Sequence, residues 1–277
     1  GLGAALAKMI FRRRLRLVVR VQGHTASKSL YTTKNILQFR IVEGIERFVL
    51  RRADLVLPMG KFTTELALSQ GVNPDRTIIV PFPVNWAKRA QVLDLPLTPN
   101  ILFIGRLEKE KGVEFLLQAM VLLRNTVPNV CLHIAGSGNC CAELESRAEF
   151  LGLRDKVLFL GWLGADRLRQ ALANTWVLVV PSIWEEGLGM VLVEAGLMGR
   201  PVIASKIGGI TDVVYHGENG LLVPPRDPEA LAAAIMAVLQ DREKAQSMGL
   251  AGNRIAREYL QGRDEALGNA RRAICAS

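Results

Sequence analysis

Two glutamates eight positions apart, Glu186 and Glu194, lie in the run PSIWEEGLGMVLVEAGLMGRPVIAS from Pro181 to Ser205. Between them Gly187 and Gly189 make a turn that opens a helix. The free N–H groups of a helix N-terminus suit a diphosphate. A carboxylate deep in such a cleft accepts hydrogen bonds from the paired hydroxyls of a ribose, and a second one can hold a sugar hydroxyl. The plain alternative is a solvated Glu186 and a Glu194 on a helix surface. Glu194 sits among Val191, Val193, Ala195 and Leu197, which argues against free exposure.

Three other loops carry suitable residue types. GRLEKEKG (Gly105 to Gly112) places Arg106 and Lys111 on either side of a turn that opens a helix, where two cations make a phosphate site; it also reads as a solvated charge cluster. AGSGN (Ala135 to Asn139) fits a tight strand-to-helix turn better than a ligand loop. In KIGGITDVV (Lys206 to Val214) Gly208 and Gly209 allow close backbone approach, and Thr211 and Asp212 can cap a helix.

Each of these loops follows a short apolar run. From Asn100 onward, runs of four to seven residues (100–104, 129–135, 156–160, 175–181, 201–205, 220–223) alternate with helical stretches (112–125, 141–151, 166–173, 190–199, 228–239, 243–259), the last followed by a tail. That alternation predicts right-handed βαβ units and a parallel sheet. Near-continuous apolar strands such as VLVVP and PVIAS are those of a sheet covered on both faces. Ligands of such sheets bind outside the carboxyl ends of the strands, where the four loops fall. The first part predicts strands at 15–22, 53–58 and 77–83. It also predicts a helix over 33–52, with Ile36, Phe39, Ile41, Ile45 and Phe48 on its apolar face, and a short one over 62–69. The segment 85–99, without period and holding Pro96 and Pro99, suggests a domain boundary near residue 97, giving domains 1–97 and 98–277.

The chain has 277 residues, 49% hydrophobic and 22% charged, which suits two globular domains. No apolar run approaches the ~20 residues of a spanning helix. Cys131, Cys140, Cys141 and Cys275 show no metal-binding spacing and read as reduced thiols. The net charge of +9 is uneven. Residues 1–97 carry sixteen Lys and Arg against six Asp and Glu, and the remainder carry nineteen against twenty. A basic half suggests an anionic partner such as a membrane surface, a phosphorylated acceptor or nucleic acid, or else a generally basic surface. The opening apolar stretch Gly1 to Phe11 is followed by Arg12, Arg13 and Arg14, the reverse of a signal peptide's order, and reads as a helix entered midway.

Taken in order, GRLEKEKG, AGSGN, VLFLGWL (157–163), the Glu186–Glu194 element, GGITDVV and HGENGLLVPPRDPEAL (216–231) resemble the family 4 glycosyltransferases. These are retaining enzymes with two Rossmann-like parallel-sheet domains, the GT-B fold. The resemblance covers residues 98–261, with a weaker match over 16–86 to the latter part of an acceptor domain. It implies that Arg106 and Lys111 bind the donor diphosphate and offset leaving-group charge. It implies that Glu186 contacts the transferred sugar and Glu194 the ribose. Gly187, Leu188, Gly189, Met190 and Val191 would line sugar and phosphates, with Gly105 beside them, and Gly161 and Leu163 would meet the base. It implies no cofactor and no metal; the chain shows no DxD motif. The donor would be GDP-mannose or a UDP-hexose, and the acceptor a glycan or lipid-linked molecule. The place of action would be the cytoplasm, with an anionic membrane surface as the candidate partner of the basic half through residues such as Tyr31 and Phe39, and no nucleic acid involved. Where many members end the strand equivalent to residues 16–22 with a sugar-contacting histidine, this chain has Gln22, with His24 two residues on. The βα units expected before Leu15 are missing, so the acceptor-side domain is expected to be incomplete. A nucleotide-sugar-binding module without turnover and a nucleotide-sugar epimerase are the rivals. An NAD-type dehydrogenase would need a GxGxxG after its first strand, and none occurs.

Overall fold

A computed structural model describes residues 4–5, 15–23 and 35–276. The apolar opening stretch, His24, Tyr31 and the start of the helix expected at residue 33 lie largely or wholly outside the described residues. The chain divides into two compact units, Gly1–Pro83 with Tyr259–Ser277, and Val84–Glu258.

In the first unit, β1 (Val18–Val21) pairs in parallel with β2 (Leu55–Pro58), in register from Val18 opposite Leu55 to Val21 opposite Pro58. Helix α1 (Ile36–Arg52) starts where the Asn35 side chain accepts from Gln38 N at 3.1 Å and ends with Arg51 and Arg52 at its negative pole. Helix α2 (Lys61–Ser69) is preceded by a turn in which the Thr63 hydroxyl accepts from the amides of Met59 and Gly60. Leu17, Val21, Val49, Leu50, Val56, Ala67 and Val72 form this unit's core.

Two expectations for this unit are corrected. The segment 77–83 is no strand: Ile78 N and Val80 N donate to Val56 O and Pro58 O, but Pro81 and Pro83 bring no N–H to continue a ladder. The apolar face of α1 is not buried along its length. Ile36 is 67% and Ile41 54% exposed, while Val49 and Leu50 enter the core, because only the last turns lie over β1 and β2.

The second unit is a six-stranded, all-parallel sheet. Its strands are β3 (Asn100–Ile104), β4 (Cys131–Ala135), β5 (Val157–Gly161), β6 (Val177–Val180), β7 (Val202–Ser205) and β8 (Gly220–Val223), in the order β5-β4-β3-β6-β7-β8. Its helices are α3 (Val113–Leu123), α4 (Cys141–Phe150), α5 (Ala165–Ala173), α6 (Met190–Leu197) and α7 (Pro228–Gln240), followed by α8 (Arg242–Ala276), of which the part up to Glu258 belongs here. β6 and β7 are buried at every residue, as their apolar sequences require. The chain fills the sheet outward from β3 to β5 and then returns to lay β6 on the other side of β3. The loops after β3 and β6 therefore diverge at a topological switch point. The stretch after Tyr259, expected as a tail, continues α8; Gly262 and Gly268 weaken a helix but do not end one among good helix formers.

The boundary expected near residue 97 falls inside this unit. Trp86, Ala90 and Leu95 are buried, and Leu95 joins the sheet's core. The segment's carbonyls are taken by three arginines. Arg200 Nη1 donates to Asp94 O at 3.1 Å, Arg242 to Pro96 O and Leu95 O, and Arg257 to Ala90 O. An aperiodic sequence thus forms a strap held by cations from elsewhere in the chain.

Candidate active site

The loops at the carboxyl ends of the strands are joined to one another through their backbones. Gly105 N donates to Ala135 O, Leu107 N to Ser137 O, and Gly136 N to Gly161 O, tying the loops after β3, β4 and β5. Glu108 accepts from both the amide and the side chain of Asn139. Across the switch point Ile183 N donates to Glu110 O at 2.9 Å, and further on Gly209 N donates to Glu186 O at 2.8 Å. Two glycines make these approaches possible. Gly112 turns from the loop into α3 at φ +65, and a Cβ there would lie 2.1 Å from Pro181 O; one on Gly209 would lie 2.0 Å from Gly187 O.

This stitching brings Lys111 to Glu186. Lys111 Nζ lies 2.5 Å from Glu186 Oε1, with only 19% and 16% of the two side chains exposed. The Ser182 hydroxyl, fully buried, donates to the same oxygen at 2.6 Å. Arg106 is on the same loop but is turned outward: its side chain is 61% exposed and its guanidinium pairs with Glu110 at 3.4 Å. The two expected cations are therefore placed differently, Lys111 against the glutamate and Arg106 at the rim.

Gly187, Leu188 and Gly189 lead into α6, with Gly189 at φ +77 directly before Met190 and Val191 in its first turn. Glu194 stands one turn further in. It is half-buried, has no hydrogen-bond or ion-pair partner among the described residues, and its carboxyl is pushed up to about 7 by burial. A cleft of about 270 Å³ opens over the ends of β3, β4 and β5, lined by Gly105, Arg106, Gly136, Ser137, Trp162 and Leu163. Gly161 adjoins it at φ +64. Gln22 is exposed just past the end of β1, in the first unit; His24 lies outside the described residues.

Two residues join the site that residue types alone did not single out. Ser182 precedes Glu186 by one helical turn in sequence, and a hydroxyl at that spacing is the signal that could have marked it. Trp162 is 75% exposed beside the cleft, and a large aromatic directly after a strand in a ligand loop was the corresponding signal. The four cysteines carry free thiols. Among the described residues no three His, Cys, Asp or Glu side chains gather to hold a metal, and no helix is long and apolar enough to cross a membrane.

The family model described as Glycosyl transferases group 1 matches residues 86–254, which contain the whole of this constellation. The chain belongs to that family. Among its group 1 relatives is the GDP-mannose-dependent alpha-(1-6)-phosphatidylinositol monomannoside mannosyltransferase of Mycobacterium tuberculosis. It is 31% identical over 266 residues, covering 91% of this chain and 69% of the relative. An uncharacterized glycosyltransferase of Methanocaldococcus jannaschii is 41% identical over 143 residues, 51% of this chain, and the match spans 36% of that protein's length. Among solved structures, sucrose-phosphate synthase from Thermosynechococcus elongatus superposes with a TM-score of 0.83 at 28% identity, covering 99% of this chain and 72% of that one. The expected α/β architecture of GT-B glycosyltransferases thus holds, and the six-stranded sheet is its Rossmann-like part.

Proposed function

We propose that this chain is the donor-binding part, with a portion of the acceptor side, of a retaining glycosyltransferase of family 4. It transfers a hexose from a nucleoside-diphosphate sugar to a glycan or lipid-linked acceptor in the cytoplasm. The observation that carries the reading is the contact of Lys111 with Glu186 across the switch point, 75 residues apart in sequence. In this reading the diphosphate rests on the N–H groups of α6, Lys111 and Arg106 supply positive charge, and Glu186 holds the transferred sugar. Glu194 accepts the ribose hydroxyls, and the base enters the cleft beside Gly161 and Leu163. Charge developing on the departing nucleoside diphosphate is met by the helix N-terminus and the two cations, so no metal is required. Attack from the face of departure retains the anomeric configuration. Gln22 or His24 is the candidate for the sugar contact that many members of the family make with a histidine.

The donor is GDP-mannose or a UDP-hexose. The Mycobacterium tuberculosis relative, whose name specifies GDP-mannose and a phosphatidylinositol acceptor, supports a GDP-linked donor and a lipid-borne acceptor. A thermal-shift panel of nucleoside diphosphates and their hexose conjugates tests this. A rise confined to one base identifies the donor, and no rise with any of them refutes the proposal. Where transfer is measured, Lys111→Ala is expected to lower it about 100-fold, the usual consequence of removing one group that stabilises developing negative charge.

A further inference from the structure

The site holds one carboxylate oxygen with two donors, and only one of those donors is free to leave. Lys111 reaches Glu186 Oε1 on a flexible four-carbon stem, as a point charge that diphosphate oxygens also attract. Ser182 reaches the same oxygen from a short side chain that is fully buried, in the loop that begins where β6 ends. Glu186 Oε2 has no hydrogen-bond partner among the described residues, and the backbone carbonyl of Glu186 is fixed by Gly209 N at 2.8 Å.

We propose that Ser182 is a positioning residue, the constant anchor that orients Glu186 toward the sugar when Lys111 is drawn to the donor's phosphates. The proposal rests on the reading of Glu186 as the sugar-holding carboxylate. With Oε1 held by a buried hydroxyl, the carboxylate cannot rotate freely, and Oε2 is the oxygen presented to a sugar hydroxyl. Without the hydroxyl, each time Lys111 turned to phosphate the carboxylate would lose its second donor and its orientation together. A hydrogen bond to an ionised group accounts for a factor of about ten or more in an equilibrium constant, so the effect is measurable.

The test is a set of dissociation constants by calorimetry for UDP, UDP-glucose, GDP and GDP-mannose. They are measured on the native chain, Ser182→Ala, Glu186→Ala and the double variant. For whichever base binds, the quantity read is the ratio of the sugar-nucleotide constant to the nucleoside-diphosphate constant. That ratio is taken within one variant and is insensitive to its folded fraction. We expect the ratio to rise about tenfold in Ser182→Ala, at least as much in Glu186→Ala, and no further in the double variant. If Glu186→Ala raises it and Ser182→Ala does not, the role of Ser182 is overturned while the proposed function stands. If the two losses add in the double variant, Ser182 acts independently of Glu186 and the proposal fails. If Glu186→Ala leaves the ratio unchanged, or neither pair of ligands binds, the reading of Glu186 falls and this inference with it.

Discussion

Glu194 combines two properties that oppose each other, a half-buried place on α6 and a proposed task that needs its ionised form. Burial pushes its carboxyl from 4.5 up to about 7. Below pH 4.5 it is protonated in folded and unfolded chains alike. As pH rises toward 7 the unfolded chain ionises first, so stability falls, and above 7 the loss is complete, on the order of 3 kcal/mol. Glu194→Gln should therefore be more stable than the native chain at pH 8 by about that amount and little different at pH 4, as urea unfolding would register. Ligand binding should run the other way. Affinity for a sugar nucleotide, whose phosphates do not titrate in this range, should increase from pH 6 to pH 8 in the native chain. It should be flat in Glu194→Gln if the ionised carboxylate is what accepts the ribose. At this level the sequence was informative about residue types and silent about pairing. Glu186 and Lys111 stood out by their loops, yet nothing in their spacing placed one against the other, because the contact depends on a crossover that lays β6 beside β3. Arg106 looked equivalent to Lys111 in sequence. The structure separates them because Glu110, four residues on, lies within reach of the guanidinium.

Single glycines determine how closely the loops can approach. Gly112 is required twice over, by its left-handed backbone and by the carbonyl of Pro181, which occupies the place a Cβ would take. Gly112→Ala should cost at least about 1–2 kcal/mol from the backbone conformation alone. By moving Lys111 off Glu186 it should also weaken nucleotide binding; urea unfolding and calorimetry of the same variant would report both. The alternation of strands and helices from residue 100 onward was legible because each run is short, apolar and followed by a loop holding glycine or proline. Two elements misled for identifiable reasons. TIIVPFP has the composition of a strand, but its prolines cannot extend the pairing that Ile78 and Val80 begin. The apolar spacing of α1 is helical, yet period alone does not say how much of a face is covered, and here only Val49 and Leu50 are buried.

The molecule's charge and its covalent order are both unevenly shared between the two units. Residues 1–97 carry a net +10 and the remainder −1, and α1 adds exposed Ile36, Leu37 and Ile41 beside the exposed Arg40. If that half meets an anionic membrane, vesicles containing phosphatidylserine should retain the protein at low ionic strength and release it as salt is raised; Ile41→Asp should weaken retention. The position of the domain boundary was not legible, because the strap 84–97 has no period of its own and is tied to the second unit by Leu95 in the core and by Arg200, Arg242 and Arg257. The return of the last residues to the first unit was equally hidden. Tyr259, 200 positions after Met59, donates its hydroxyl to Met59 O and accepts from Phe82 N at 3.2 Å. Tyr259→Phe should cost about 1 kcal/mol and speed amide exchange at Phe82 while leaving the six-stranded sheet unaffected. The same feature bears on how the protein is made. A chain leaves the ribosome from its amino end, and domains fold as units when complete. The 84–258 stretch is uninterrupted and can finish while synthesis continues, whereas the first unit must wait for Tyr259–Ser277 to emerge. Residues up to Pro83 thus emerge well before the segment that shares their unit.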